Sequence, residues 1–274
     1  MARDGKKWEA ALRKEFQTVE KREKKLETAA RQAKPAQWKL ELEQKIPEKV
    51  YSGLETAFCK GFALVFEQGR AIIEKTCKKE ERQTDYAVRD YAVQMKGGRK
   101  ELKQMRKGAA KNDLQNMAVT AAEGIGLGIL GIGMPDIVLF ISTLLKGIYE
   151  TALNYGFDYE SRQEQLLILK MMAAALSTGE DYIRLNADVD DLLEEGIVFI
   201  PEDAFESQLQ ETASVFAMDM LLLKFIQGIP VIGLLGGLAN PFYYGKIMRY
   251  VGLKYCKRYL MKRRTEHGLS DCNI

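Results

Sequence analysis

Apolar residues recur every three or four positions over most of this chain, and that period predicts helices. In residues 1–34 the apolar positions Trp8, Leu12, Phe16, Val19 and Leu26 form one stripe in an otherwise charged segment. The pattern reads as a charged amphipathic helix lying on something larger, not as a core helix. Pro35 breaks it and Pro47 opens the next helix, since proline is tolerated in a first turn. From Glu48 to about Lys75, Leu54, Phe58, Phe62, Val65, Phe66, Ile72 and Ile73 keep helical spacing. In residues 79–107 the sparse apolar positions Tyr86, Val88, Tyr91, Val93 and Met95 mix periods of two and three. Helix is favoured there by composition, with Gly97 and Gly98 as an interruption. Amphipathic helices follow at about 158–178 and 203–224, with an acidic link (Asp188, Asp190, Asp191, Glu194, Glu195) between them. Only 197–200 looks strand-like, and nothing pairs with it. The class is all-α, a multi-helix bundle.

Two regions depart from this pattern. Residues 124–134 alternate glycine with apolar residues and run through Pro135 and Asp136 into an apolar stretch ending at Leu145. Residues 225–245 carry no charge and contain Pro230, Pro241 and five glycines. Gly126 to Gly131 fits GxGxxG, but a dinucleotide site needs a strand before that motif and a βαβ repeat around it, and neither is visible. Gly124 and Gly128, and Gly233 and Gly237, stand at GxxxG spacing, which lets helix backbones approach closely in apolar surroundings. Neither region reads as a clean membrane span: Pro135 and Asp136 interrupt the first, and two prolines and Asn240 the second. Both read as apolar helical hairpins, 124–145 and 228–245. They fit either the core of a soluble protein or elements that dip into a membrane.

Charge sharpens the picture once it is divided along the chain. Residues 1–117 hold 28 Lys and Arg against 18 Asp and Glu (net +10), residues 118–224 hold 5 against 18 (net −13), and residues 225–274 hold 8 against 2 (net +6). All eight cations of the last block lie within 246–264, directly after the second apolar region. Such a basic helix, with Lys246, Arg249, Lys254, Lys257 and Arg258, would be drawn to anionic headgroups by about 1 kcal/mol per cation. The alternative is a helix paired with the acidic middle of the chain. Nucleic acid is disfavoured, because no recognisable binding motif accompanies the basic segments and the acidic middle repels phosphate.

Catalytic chemistry finds little support. The single histidine, His267, lies near the end of the chain, which argues against histidine-bearing zinc sites, serine triads and cysteine–histidine dyads. Cys59, Cys77, Cys256 and Cys272 have no metal-ligand spacing. No cofactor or metal site is read. The N-terminal residues show no apolar core of a secretory signal, so an intracellular location is the default expectation. Asp136 fits a carboxylate favoured by a helix N-terminus, or a buried functional group partnered by Arg249 or Lys246. Tyr155-Gly156 reads as a helix end, with Asp158 starting the next helix.

Three stretches together are similar to the EcsC family of bacteria: the Gly-rich run ending in Pro135-Asp136; Tyr155-Gly156-Phe157-Asp158; and Pro230 to Gly233 through Gly236, Gly237 and Asn240, trailing to Arg258. The resemblance covers about residues 50–264 and implies association with the cytoplasmic side of a membrane. The family takes its name from a gene beside an ABC transporter that affects secretion, so a transporter-like partner is implied too; no catalytic residues are. The expected organisation is a charged N-terminal helix (1–46), an EcsC-like helical domain (47–264) and a tail (265–274). Membrane or lipid contact is expected at Gly124, Gly128, Gly131, Asp136, Gly233, Gly237, Asn240, Lys246, Arg249, Lys254, Lys257 and Arg258. The runner-up is a soluble helical protein with an internal pocket for a lipid or other hydrophobic ligand, and an enzyme using Asp136 ranks last.

Overall fold

The computed structural model describes residues 2–32, 45–67, 78–108, 134–196, 201–227 and 239–267, and every regular element among them is helical. These are α1 (Ala2–Gln32), α2 (Glu48–Glu67), α3 (Lys79–Lys96), α4 (99–108), α5 (Met134–Asn154), α6 (Arg162–Leu176), α7 (Gly179–Glu195), α8 (Glu202–Gln227) and α9 (Ala239–Glu266). The Gly-rich runs 124–133 and 228–238, and the strand-like 197–200, lie outside the described residues.

Local sequence accounts for the helix boundaries. Pro47 stands just before α2 and its carbonyl accepts the Val50 N–H at 2.8 Å. Gly97, at φ +52°, ends α3 and donates its N–H to Val93 O at 2.8 Å, the left-handed position that glycine fills without strain. Gly156 plays the same part after α5, at φ +78°. Asp158 does not start α6. Its carboxylate accepts the Glu160 N–H, and the N-cap is Ser161, whose hydroxyl accepts the Glu164 N–H at 3.1 Å. The acidic stretch 188–195 is likewise the second half of α7 rather than a link. Tyr182, Leu185, Val189 and Leu193, three and four apart, form its buried stripe.

α5 packs against α2, α3 and α9. It is also the one described helix long and apolar enough to cross a membrane, over Ile137–Asn154, yet 72% of that window is buried by neighbouring helices. Glycine sets two of its crossings. A Cβ at Gly61 of α2 would stand 2.8 Å from Ile141 Cδ1, and one at Gly147 would stand 2.9 Å from Tyr244 Cζ of α9. Tyr244 is fully buried and has little room to yield. Gly147→Leu is therefore expected to cost about 2–3 kcal/mol by overpacking, despite leucine's better helix propensity. A chemical denaturation midpoint shifted to lower denaturant would register it, and an unchanged midpoint would refute the close approach.

Phe58, Phe62 and Phe66 follow one face of α2 and meet α8, with Phe216 at ring distances of 5.4 Å from Phe58 and 5.5 Å from Phe62. The stripe of α1 is not peripheral to this core. Trp8, Leu12, Phe16 and Val19 are buried in the same continuous apolar cluster. The mixed period of α3 also resolves: Asp90 and Val93 turn inward, while Val88, Tyr91 and Met95 form an exposed outer row.

Candidate functional site

The last helix, read from sequence as a basic surface, runs through the middle of the fold. Ile247, Tyr250, Val251, Leu253, Tyr255, Tyr259 and Leu260 are all buried and lie around its whole circumference. A helix apolar on every side must be enclosed, and its cations must then find partners. Lys254, with its side chain 1% exposed, donates to Glu23 of α1 at 2.8 Å and to Asp190 of α7 at 2.7 Å. Lys257 reaches the same Asp190 carboxylate at 2.8 Å. Arg258 donates to both oxygens of Glu164 at 2.8 Å, beside the Tyr255 hydroxyl at 2.6 Å from the same group. Further on, Arg263 Nη2 and the Tyr259 hydroxyl each stand 2.7 Å from Asp90 of α3. Three of the cations expected at headgroups are thus tied to carboxylates inside the bundle.

The electrostatics agree with a structural role. Burial pushes the Asp190 carboxyl up, but Lys254 and Lys257 more than offset this and hold it below its ordinary 3.8. Burial pushes Lys257 down, while Asp190 and Glu23 more than restore it, leaving it above its ordinary 10.5. A lowered carboxylate contributes stability above its unfolded value and loses it as pH falls through the folded one. A raised lysine contributes below its unfolded value and loses it as pH rises through the folded one. The destabilisation caused by Asp190→Asn, measured by thermal melting, is therefore expected to be constant at neutral pH and to shrink below pH 3.8. A difference that persists undiminished in acid would contradict the pairing. The hydroxyls of Tyr255 and Tyr259 are raised by burial and by the carboxylates beside them, so both stay protonated as donors.

The remaining expected contact residues fall elsewhere. Asp136 and Asn240 lie in the first turns of α5 and α9. Gly124, Gly128, Gly131, Gly233 and Gly237 lie outside the described residues. Lys246 donates to Leu176 O at 3.0 Å, at the C-terminal end of α6 where a cation suits the dipole. Arg249 stays exposed. His267 lies against Trp8, with ring centroids 4.7 Å apart, so the lone histidine covers a core tryptophan. Among the described residues no group of His, Cys, Asp and Glu is arranged to hold a metal ion.

What the arrangement leaves open is a cavity of about 480 Å³ between α1 and α9, within the size range of small-molecule sites. Leu26, Ala29, Met248 and Leu253 supply apolar wall, with Gly252 beside them and Tyr155 and Cys256 at the buried floor. Burial pushes the Cys256 thiol up to about 11, so the floor is neutral at ordinary pH. Arg22, Lys25, Arg106 and Arg249 complete the lining, and no carboxylate is among the described lining residues. Arg106 is paired with the buried Glu15 at 2.8 Å. Arg22, Lys25 and Arg249 are exposed and have no ion pair among the described residues. A shallower depression continues along α1 past Lys21 and Lys24. Arg249 stands out in the sequence within the basic helix, whereas Arg22 and Lys25 do not, because only the antiparallel packing of α1 on α9 brings them to it.

The described residues thus define an all-α bundle whose last helix is buried and ion-paired to α1, α6, α7 and α3. The model of the EcsC protein family matches residues 10–260, from within α1 to the last turns of α9, and the chain belongs to that family. It is similar to Protein EcsC of Bacillus subtilis (strain 168), at 27% identity over 135 residues, which are 48% of this chain and 54% of that protein. The chain thus spans about half the length of that curated relative. No solved structure matches it.

Proposed function

We propose that the protein associates peripherally with the anionic, cytoplasmic leaflet of a membrane, with the end of the bundle at which α5 and α9 begin turned toward the lipid. The observation that carries this reading is the shared direction of those two helices. Phe140 meets Tyr243 at 6.3 Å and Tyr155 meets Tyr259 at 5.9 Å, so α5 and α9 run parallel and start at the same end. The two charge-poor, Gly-rich stretches of the sequence lead directly into those starts. Leu139 and Phe242, near the same starts, are 38% and 53% exposed, which suits an apolar surround.

Exposed cations line the half of α1 nearer that end. Trp8 meets His267, Arg264 lies over Phe16, and Glu23 meets Lys254, so α1 runs antiparallel to α9 and its second half approaches the start of α9. Lys21, Arg22, Lys24 and Lys25 are exposed on that half, level with Lys254 and about 22 Å from Ala239 along α9, with Arg249 across the cavity mouth. Arg249 is ten residues from Ala239, about 15 Å along the helix. The headgroup-facing charge therefore belongs to α1 and Arg249, not to Lys254, Lys257 and Arg258. Sedimentation with anionic vesicles is expected to bring the protein down at low salt and to weaken steeply as salt rises. Equal binding to neutral vesicles, or none to anionic ones, would refute the reading.

A further inference from the structure

We propose that the cavity between α1 and α9 holds the acyl chain of one anionic lipid, with its phosphate bound at the rim by Arg22, Lys25 and Arg249. The inference rests on the membrane reading for the source of the lipid, but the cavity makes its own argument.

The polarity of the cavity orients the occupant. Its apolar walls and neutral floor stand deep, where Tyr155 and Cys256 are buried. The inner cation, Arg106, already has Glu15 at 2.8 Å, so the floor offers an anion little unsatisfied charge. The uncompensated cations stand at the mouth, two on α1 and one on α9. A long apolar chain ending in an anion matches this gradient, with the chain inward and the headgroup outward. A peptide does not fit as well. At the floor the Tyr155 hydroxyl already engages Cys256, so the amides of a buried peptide would find few partners and lose about 1–3 kcal/mol for each group left unpaired. A bare anion would leave the apolar walls unfilled.

Gly252 supplies a way to close the cavity without disturbing the helix. It lies in α9 with an ordinary φ, and a Cβ built there meets nothing within 4 Å. A side chain at this position would grow into the space the acyl chain is proposed to fill.

The test uses the intact chain with lysophosphatidic acid kept below its micellar concentration, so that no bilayer is involved. Isothermal titration and native mass spectrometry are expected to show one molecule bound, at least about tenfold tighter than either inorganic phosphate or a neutral alkyl maltoside of the same chain length. Gly252→Leu is expected to lose at least about tenfold of this affinity while keeping its helical circular dichroism and its vesicle sedimentation. Lys25→Gln, an exposed change independent of cavity packing, is expected to weaken the amphiphile by about fivefold and to leave the maltoside unaffected. Absence of binding, phosphate or maltoside binding as well as the amphiphile does, or undiminished binding by Gly252→Leu would each overturn the proposal. Monomer binding without vesicle sedimentation would support the cavity and remove the membrane reading. Sedimentation without monomer binding would do the reverse.

Discussion

Lys254→Met is expected to lower the folding stability by about 3–5 kcal/mol, toward the lower end of that range. Methionine keeps much of the apolar stem but removes the charge that two carboxylates share. Lys254 is 1% exposed, whereas Glu23 and Asp190 keep 21% and 23% of their side-chain surface in solvent. Water therefore relieves part of the penalty on the carboxylates left behind, and Lys257 relieves more through its own 2.8 Å contact with Asp190. Because the three groups come from α1, α7 and α9, the loss should loosen all three helices together. Adding Asp190→Asn to Lys254→Met removes one of the stranded charges, so the double variant is expected to be more stable than the sum of the single losses allows. A double-mutant cycle in chemical denaturation would measure that coupling, expected between about 0.5 and 3 kcal/mol. A single-variant loss under about 1 kcal/mol would place Lys254 at the surface, where ion pairs contribute little.

Replacing Lys21, Arg22, Lys24 and Lys25 together by glutamine is expected to weaken binding to anionic vesicles by roughly a thousandfold at low salt. Each cation near an anionic surface contributes about 1 kcal/mol, and four of them amount to about three powers of ten. The fold should tolerate the change. All four side chains are exposed, none has an ion pair among the described residues, and glutamine is nearly as good a helix former as lysine or arginine. Vesicle sedimentation read beside a denaturation curve separates the two effects. Unchanged vesicle affinity in a stable quadruple variant would exclude α1 as the headgroup-facing element.

The period of apolar residues made most of the fold legible. The stripe of α1, the phenylalanine row of α2 and the breaks at Pro47, Gly97 and Gly156 all follow from local chemistry. α7 was harder to see because it carries as many carboxylates as apolar residues, although Tyr182, Leu185, Val189 and Leu193 carry a regular stripe. The basic helix misled for a different reason. Its cations suggested a solvent-facing surface, yet its apolar residues surround the axis, which is the pattern of an enclosed helix. Their partners could not be read locally: Glu23 is 231 positions from Lys254 and Asp90 is 173 from Arg263. The acidic middle did hint at opposing charge, and Glu164 and Asp190 both come from it. The cavity was illegible for the same reason, since its walls exist only where two distant helices meet.

Photo-crosslinking reads directly which surface of the protein meets lipid. Anionic vesicles carrying a photoactivatable phospholipid would be irradiated with the bound protein and the labelled residues mapped by mass spectrometry. Labels are expected on the last turns of α1, residues 24–32, and on the first half of α9, residues 239–253, above the background given by neutral vesicles. Labels confined to the opposite end, around 158–162 and 255–267, or no labelling above that background, would contradict the account.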